Sequence, residues 1–130
     1  QDEVADRLVA QPGGSDYGVL SVMAQYAADI SKAFRVSAQC FRPRPDVASA
    51  VVRLGMKEGA RLSRQEAVAF RALVKAAFAH RRKTLVNSLR DEGYALHSVT
   101  ETLQRLDIAP SRRAETLSVD DFLRLALALG

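Results

Sequence analysis

The sequence is poor in the residues that build metal sites and disulfides. Its 130 residues include one cysteine, Cys40, and two histidines, His80 and His97. One cysteine cannot form an internal disulfide, and these three side chains, far apart in the sequence, cannot fill the tetrahedral site of a structural zinc ion. The sequence therefore predicts neither a disulfide scaffold nor a zinc protein.

Long apolar runs are also missing. No stretch approaches the roughly 18 apolar residues that a membrane helix needs. The first ten residues carry four charges and no apolar core, unlike a signal peptide. With 48% hydrophobic and 26% charged residues, the composition is typical of one soluble domain or two small units. We expect a cytoplasmic protein.

The motifs of common enzyme chemistry are absent. The sequence contains no G-x-G-x-x-G or P-loop pattern, and its two consecutive glycines, Gly13 and Gly14, follow a predicted helix rather than a strand. No Ser-His-Asp or Cys-His set has a convincing spacing. The residues taken alone do not predict an enzyme.

Positive charge is concentrated in one segment. The chain has 19 basic and 15 acidic residues, a net charge of +4. Residues 61–90 hold eight of the basic residues and one acidic residue, Glu66, which gives this segment a net charge of +7. Residues 91–130 carry a net charge of −3. A phosphate polyanion is one partner for such a segment; the alternative is a solvated helix face neutralised by the acidic tail.

Residues 1–57 are predicted to form two helices followed by two strands. The apolar periodicity indicates helices over 2–11 and 19–28 and strands over 30–36 and 47–54. Small and β-branched residues in 47–54 predict a strand buried on both faces, whereas Lys32 interrupts the inward set of the other strand. Two strands are too few to close an α/β core. We therefore expect the end of a larger α/β domain, with exposed apolar surface that favours dimerisation or strand exchange.

Residues 58–130 are predicted to form a small all-α domain of four or five helices. Ser63, with Glu66 three residues later, has capping-box spacing, and the helix that follows carries an apolar stripe. We expect a break near 80–82 and a helix end at Gly93. Ser98 and Ser118 are predicted to cap helices over 98–106 and 118–129.

Four stretches together resemble one family. They are QDEVADRLVAQPGGSDYGVLSVMAQY, FRPRPDVASAVVRL, FAHRRKTLVNSL and RRAETLSVDDFLRLALALG. In their order and spacing they are similar to the C-terminal half of the bacterial small-subunit (16S) ribosomal RNA adenine N6,N6-dimethyltransferases, the KsgA/RsmA family. The macrolide-resistance methyltransferases share the F-x-P-x-P element but match the C-terminal motifs less well.

The resemblance implies a fold and an activity. The family has a Rossmann-like methyltransferase domain that uses S-adenosyl-L-methionine, followed by a helical domain that contacts ribosomal RNA. It dimethylates two adjacent adenines in the 3′-terminal hairpin of small-subunit rRNA. Residues 1–57 would then be the last helices and final strand pair of the methyltransferase domain, and 58–130 the helical domain. The cofactor motifs would lie upstream of Gln1, so this chain alone is expected to be inactive.

The resemblance also implies site residues. Phe41 would stack on the target adenine, and Pro43 and Pro45 would stiffen its loop. The alternative for Phe41 is an ordinary core residue. The chain departs from the family pattern at Val19, Asp46 and Ala48, and the first two of these changes lower the local positive charge. No residue is expected to bind a metal.

The basic segment becomes a predicted RNA-binding surface. Arg81, Arg82 and Lys83 match the R-R-K of the family and would face phosphate. Helical-wheel geometry puts other cations on one face, and a second basic pair follows near the end of the chain; the wider set is Arg64, Arg71, Lys75, Arg112 and Arg113. For the second pair, ion pairing with Glu115 or helix capping is an equal alternative. The partner would be small-subunit rRNA or the small ribosomal subunit.

Two other functions remain open from the sequence. A non-enzymatic RNA-binding or ribosome-assembly module would need the same basic segment but no cofactor site. A protein-protein interaction domain built on the helical bundle is disfavoured by the +7 charge of residues 61–90.

Overall fold

A computed structural model describes residues 1–44, 46–57 and 62–130. The contacts within the chain divide the protein into two compact units. The first unit comprises Gln1–Gln11 and Asp16–Glu58, and the second comprises Pro12–Ser15 and Gly59–Gly130. No helix among the described residues is both long and apolar enough to cross a lipid bilayer.

The residues described in the first unit form two helices and a two-stranded antiparallel sheet. The helices are α1, Asp2–Val9, and α2, Val19–Ala27; the strands are β1, Ala28–Val36, and β2, Ser49–Met56. The register places Ala28 opposite Met56 and Val36 opposite Ser49, with an irregularity between Lys32 and Phe34. A short 3-10 turn, Ala38–Cys40, lies in the connection between the strands.

Polar side chains hold the two helices of this unit together. The amide of Gln25 on α2 donates to the carbonyls of Leu8 and Ala10, at 3.0 and 2.7 Å. The hydroxyl of Ser21, which is fully buried, donates to the carbonyl of Arg7 at 2.5 Å. These bonds satisfy carbonyls at the end of α1 that have no partner within their own helix.

The half-buried Lys32 finds acidic partners on α1. Its Nζ lies 2.9 Å from Asp6 Oδ1 and also pairs with Asp2. The hydrogen bond from Lys32 holds the pKa of Asp2 below its usual value, and the bond to Asp2 raises the pKa of Lys32. A cation is therefore accommodated at the position where it interrupts the apolar alternation of β1.

The prediction that residues 47–54 form a strand buried on both faces is wrong for this chain. Residues of β2 are half-buried or exposed, and Leu54 and Met56 are 60% and 65% exposed. On β1, Phe34 is also mostly exposed. The reason is that β1 is the only strand paired with β2 among residues 1–44, 46–57 and 62–130, so these apolar side chains have too little neighbouring structure to cover them.

The described part of the second unit contains four α-helices around one apolar core. They are α3, Arg64–Phe78; α4, Leu85–Asp91; α5, Leu96–Arg105; and α6, Val119–Leu129, with a 3-10 turn at Ala114–Thr116 before α6. The rings of Phe78 and Phe122 lie 5.7 Å apart at their centroids. The buried hydroxyl of Ser88 on α4 donates to the carbonyl of Ala76 on α3 at 2.7 Å.

Local signals located most of these helix ends. Ser63 and Glu66 form the expected capping box of α3, and Ser118 caps α6 with Asp121 as its partner. Gly93 has φ 98° just after α4, a conformation that favours glycine. The expected cap at Ser98 is wrong, because α5 begins at Leu96 with Ala95 as its N-cap.

Candidate nucleic-acid interface

Three cations of α3 lie on one exposed face. Arg64, Arg71 and Lys75 are spaced by seven and four residues, which brings them to the same side of a helix with 3.6 residues per turn. The side of the helix that faces the core carries Phe70, Leu73 and Val74, all buried. Within the described parts of the chain, the three cations have no hydrogen bond or ion pair through their side chains. No described carboxylate pairs with any of them.

The basic triplet Arg81-Arg82-Lys83 follows in a turn rather than on a helix. α3 ends at Phe78, and α4 begins at Leu85 with Thr84 as its cap. The expected break near 80–82 therefore falls in this turn, and Arg82 does not lie on α3.

Arg81 makes several contacts within its own unit. Its guanidinium carbon lies 5.6 Å above the ring of Phe78, in the range of a cation–π interaction. One terminal nitrogen donates to the carbonyl of Ser15 at 3.4 Å, and it lies 3.9 Å from Glu115 Oε2. Gly13 N in turn donates to the carbonyl of Glu115 at 2.6 Å. Arg81 thus joins three segments: the end of α3, residues 12–15 and the 3-10 turn.

The other two members of the triplet differ from each other. Lys83 pairs with Asp91 of α4, and its hydrogen bond holds the pKa of Asp91 below its usual value. Arg90 reaches the other oxygen of the same carboxylate at 3.4 Å. Arg82 is exposed and makes no side-chain hydrogen bond or ion pair with any described residue.

In the second basic pair, Arg112 is bonded within its unit and Arg113 is exposed. Arg112 Nε donates to the hydroxyl of Thr116 at 3.1 Å, a terminal nitrogen donates to the Thr116 carbonyl, and the guanidinium lies 3.9 Å from Asp121. Its expected alternative partner, Glu115, is instead paired with Arg81. Arg113 is exposed, and the described residues include no partner for its side chain.

The fold brings these two basic runs together. Leu85 N donates to the carbonyl of Arg112 at 2.8 Å, and the Arg81–Glu115 pair joins the same two segments. Residues 81–85 and 112–116, distant in the sequence, therefore lie side by side in the second unit. Sequence spacing alone did not predict this adjacency.

Phe41 lies in the first unit, on the connection between β1 and β2. It directly follows the 3-10 turn that Ser37 caps, and the residue is 41% exposed. The peptide bond before Pro43 is cis, and Pro45 lies outside the described residues. Arg42 and Arg44 follow Phe41 on the same connection, one on each side of Pro43.

Arg42 and Arg44 were not selected by the sequence argument. Both are exposed, and neither has a side-chain partner among the residues that the structure describes. The available signal was their position on either side of Pro43, next to an aromatic residue. Asp46, one of the departures from the family pattern, is exposed in the same connection, whereas Val19 and Ala48 are half-buried.

The described residues do not fit an S-adenosylmethionine loop or a metal site. Gly13 and Gly14 lie between α1 and α2, whereas a Rossmann-type glycine loop connects a strand to a helix. No cluster of three metal-ligating side chains occurs in residues 1–44, 46–57 and 62–130. His80 pairs with Glu92 at 3.2 Å, and His97 is near Glu101 at 3.5 Å.

Comparisons with known proteins agree on one family. A family model described as ribosomal RNA adenine dimethylase matches residues 1–129. "Ribosomal RNA small subunit methyltransferase A" of Chlamydia abortus is 47% identical over 125 residues, which cover 96% of this chain and 45% of the relative. The protein of the same name in Desulfitobacterium hafniense strain DCB-2 is 50% identical and is covered to 44%. The chain therefore spans about half the length of these relatives.

Solved structures have the same fold. The dimethyladenosine transferase of Plasmodium falciparum superposes with a TM-score of 0.78 at 25% identity, over 96% of this chain and 53% of that one. The structure of the 23S rRNA methyltransferase ErmE gives a TM-score of 0.64 at 23% identity, over 99% of this chain and 52% of that one. At 23% identity, the similarity to ErmE shows a shared fold only.

Proposed function

Because this chain belongs to the ribosomal RNA adenine dimethylase family, we propose that it is the RNA-contacting part of an S-adenosylmethionine-dependent enzyme. The enzyme would dimethylate N6 of two adjacent adenines in the 3′-terminal hairpin of small-subunit rRNA. The observation that carries the proposal is a set of exposed cations on the second unit with no partner among the described residues: Arg64, Arg71, Lys75, Arg82 and Arg113. Phosphate contacts of this kind position a nucleic acid without reading its sequence.

The two units have different parts in this proposal. We assign 1–57 to the end of the Rossmann-like methyltransferase domain and 58–130 to the helical domain of the C-terminal half. The exposed apolar residues of the sheet support the first assignment, because further strands and helices would cover Phe34, Leu54 and Met56. The length of the relatives, about twice that of this chain, supports it as well.

Phe41 is proposed to contact the target base. Pulling an adenine out of its stack costs a few kcal/mol, and an aromatic face recovers part of that cost. A side chain that is 41% exposed on a connection between strands is accessible to such a base. Pro43 and Pro45 would restrict the loop, since each proline fixes its own φ.

The cofactor is assigned to the rest of the enzyme. S-adenosylmethionine supplies the methyl group when bound, and no described residue of this chain forms a loop suited to it. The chain alone is therefore expected to bind RNA and to transfer no methyl group.

Two measurements on under-methylated small ribosomal subunits test the proposal. In the first, the chain is incubated with subunits and labelled S-adenosylmethionine, and we expect no transfer of label. In the second, subunit binding is titrated with salt for the wild type and for a triple variant with Arg81, Arg82 and Lys83 each changed to Glu. We expect weaker binding and a flatter salt dependence in the variant. Methyl transfer by the chain alone, or an unchanged salt dependence, would contradict the proposal.

A non-enzymatic RNA-binding or ribosome-assembly module is the second candidate function. The lack of a cofactor loop among the described residues favours it, and the basic surface fits it equally. The sequence encoded upstream of Gln1 discriminates between the two functions. A glycine-rich loop and an N-L-P-Y element there support the enzyme; a different protein sequence there supports the module.

A further inference from the structure

The cations of the second unit fall into two structural groups. Arg81, Lys83 and Arg112 are paired with carboxylates of the same unit, namely Glu115, Asp91 and Asp121. Arg82 and Arg113 are adjacent to them in the sequence and exposed, with no side-chain partner in the described parts of the chain. Each basic run therefore contains one cation that is left for an external anion.

We infer that Arg82 and Arg113 are the phosphate-contacting residues of the two basic runs, and that Arg81, Lys83 and Arg112 serve mainly to hold the surface in shape. This inference rests on the proposed function and divides its basic motifs into two groups. The ligand is the phosphate backbone of an RNA, contacted from two chain segments that the fold places side by side.

The contacts of Arg81 support a structural role. Its guanidinium lies against Phe78 and reaches both the Ser15 carbonyl and Glu115. To make a strong phosphate contact, the guanidinium would have to leave some of these neighbours. Arg112 is held at least as firmly, because it bonds twice to Thr116 and approaches Asp121.

Lys83 differs from Arg82 in having a carboxylate partner. The carboxylate of Asp91 lies against the Lys83 ammonium and holds it in an ion pair. A phosphate would have to compete with this carboxylate for Lys83, whereas Arg82 needs no exchange of partner. Release of RNA counterions should therefore depend on Arg82 more than on Lys83.

The bond that joins the two runs explains why both free cations belong to one surface. Leu85 N donates to the Arg112 carbonyl at 2.8 Å, and Arg81 pairs with Glu115 across the same boundary. An RNA backbone that contacts residues 81–83 therefore also lies close to residues 112–113. We expect the effects of removing Arg82 and Arg113 to add in the salt dependence of binding.

The test compares matched variants of the full 130-residue chain. Binding of a fluorescein-labelled RNA hairpin is measured by anisotropy over a series of salt concentrations. Arg82→Gln and Lys83→Gln each remove one charge from adjacent positions. The double variants Arg82→Gln/Arg113→Gln and Arg81→Gln/Arg112→Gln each remove two. Thermal unfolding is recorded for every variant, and Arg82→Lys tests whether charge alone restores binding.

We expect Arg82→Gln to make the slope of log K against log salt less negative by about 0.9. The double variant Arg82→Gln/Arg113→Gln should make it less negative by about 1.8. Neither variant should change the thermal midpoint. Arg82→Lys should restore the slope. Lys83→Gln should leave the slope within about 0.3 of the wild type, and Arg81→Gln/Arg112→Gln should lower the thermal midpoint.

Other outcomes identify which claim fails. Equal slope losses for Arg82→Gln and Lys83→Gln would overturn the division into two groups and would leave the proposed RNA-binding function intact. This comparison is decisive even if Arg81→Gln/Arg112→Gln does not fold, because both single variants change exposed side chains. A wild-type chain with no salt-dependent RNA binding would overturn the proposed function, and the division with it.

Discussion

Replacement of Phe41 by alanine is predicted to weaken RNA binding while leaving the fold largely intact. Phe41 is 41% exposed, so truncation removes only part of a buried aromatic contact and should cost at most about 2 kcal/mol of unfolding free energy. Stacking of a base on an aromatic side chain is worth about 1–3 kcal/mol, which corresponds to a roughly 5- to 150-fold loss of affinity.

The assay uses an RNA hairpin with two adjacent unpaired adenines, one of them replaced by the fluorescent analogue 2-aminopurine. Binding of the wild-type chain should change the fluorescence of the analogue as it stacks. Phe41→Ala should lose most of this change, and Phe41→Trp should retain it. The matched control is Phe34→Ala in the same unit, which removes an aromatic ring that is 59% exposed.

Two results would refute the reasoning about Phe41. One is a Phe41→Ala variant with the affinity and the fluorescence change of the wild type. The other is a Phe34→Ala control that loses as much of both as Phe41→Ala, because the effect would then come from the unit as a whole. The thermal midpoint of each variant shows whether a loss of binding is merely a loss of folded protein.

Three further predictions concern the second unit. Phe122→Ala should lower the unfolding free energy by about 3–5 kcal/mol, because it leaves a cavity in the core beside Phe78, and urea denaturation measures this loss. Ser88→Ala should cost about 1 kcal/mol in the same assay, since it removes the buried hydrogen bond to α3. At Asp121, burial acts to raise the pKa, but hydrogen bonds from Arg124 and Ser118 outweigh it and hold the pKa below its usual value. The stability from this lowered pKa is therefore present above about pH 4 and is lost as pH falls through the folded-state value, and Asp121→Asn should flatten the acid side of a plot of unfolding free energy against pH.

Helix ends were predictable where the signal lies within one turn. Ser63 and Ser118 accept hydrogen bonds from the backbone amides of Glu66 and Asp121, three residues later. Both residues of each pair can be read from the sequence as a capping box. Ser98 was selected by residue type alone. The helix in fact starts two residues before it, at Leu96, with an alanine at the cap position that provides no side-chain bond.

Burial of the second strand could not be predicted from its residues. The small and β-branched side chains of β2 are suited to a strand that is covered on both faces. Whether it is covered depends on how much sheet surrounds it, and the described part of the chain gives β2 a single neighbouring strand. Leu54 and Met56 are consequently exposed.

The family was recognisable from motifs, but the state of each cation was not. The charge pattern predicted a basic segment, and the R-R-K and R-R-A-E-T-L-S stretches indicated which family uses it. The partners of Arg81 and Lys83, however, are Glu115 and Asp91, and only the fold brings them near the triplet. The sequence therefore predicts the basic segment, whereas the difference between free and paired cations depends on the fold.

The most direct test of the central claim is the salt dependence of RNA binding by the wild-type chain. Anisotropy titrations with the hairpin of the 3′ end of small-subunit rRNA give the association constant at each salt concentration. If the five unpartnered cations all contact phosphate, the slope of log K against log salt approaches about −4.5, and affinity falls by roughly 500-fold between about 50 and 200 mM salt. A chain that does not bind this hairpin, or that binds it with the same affinity across this range, contradicts the account.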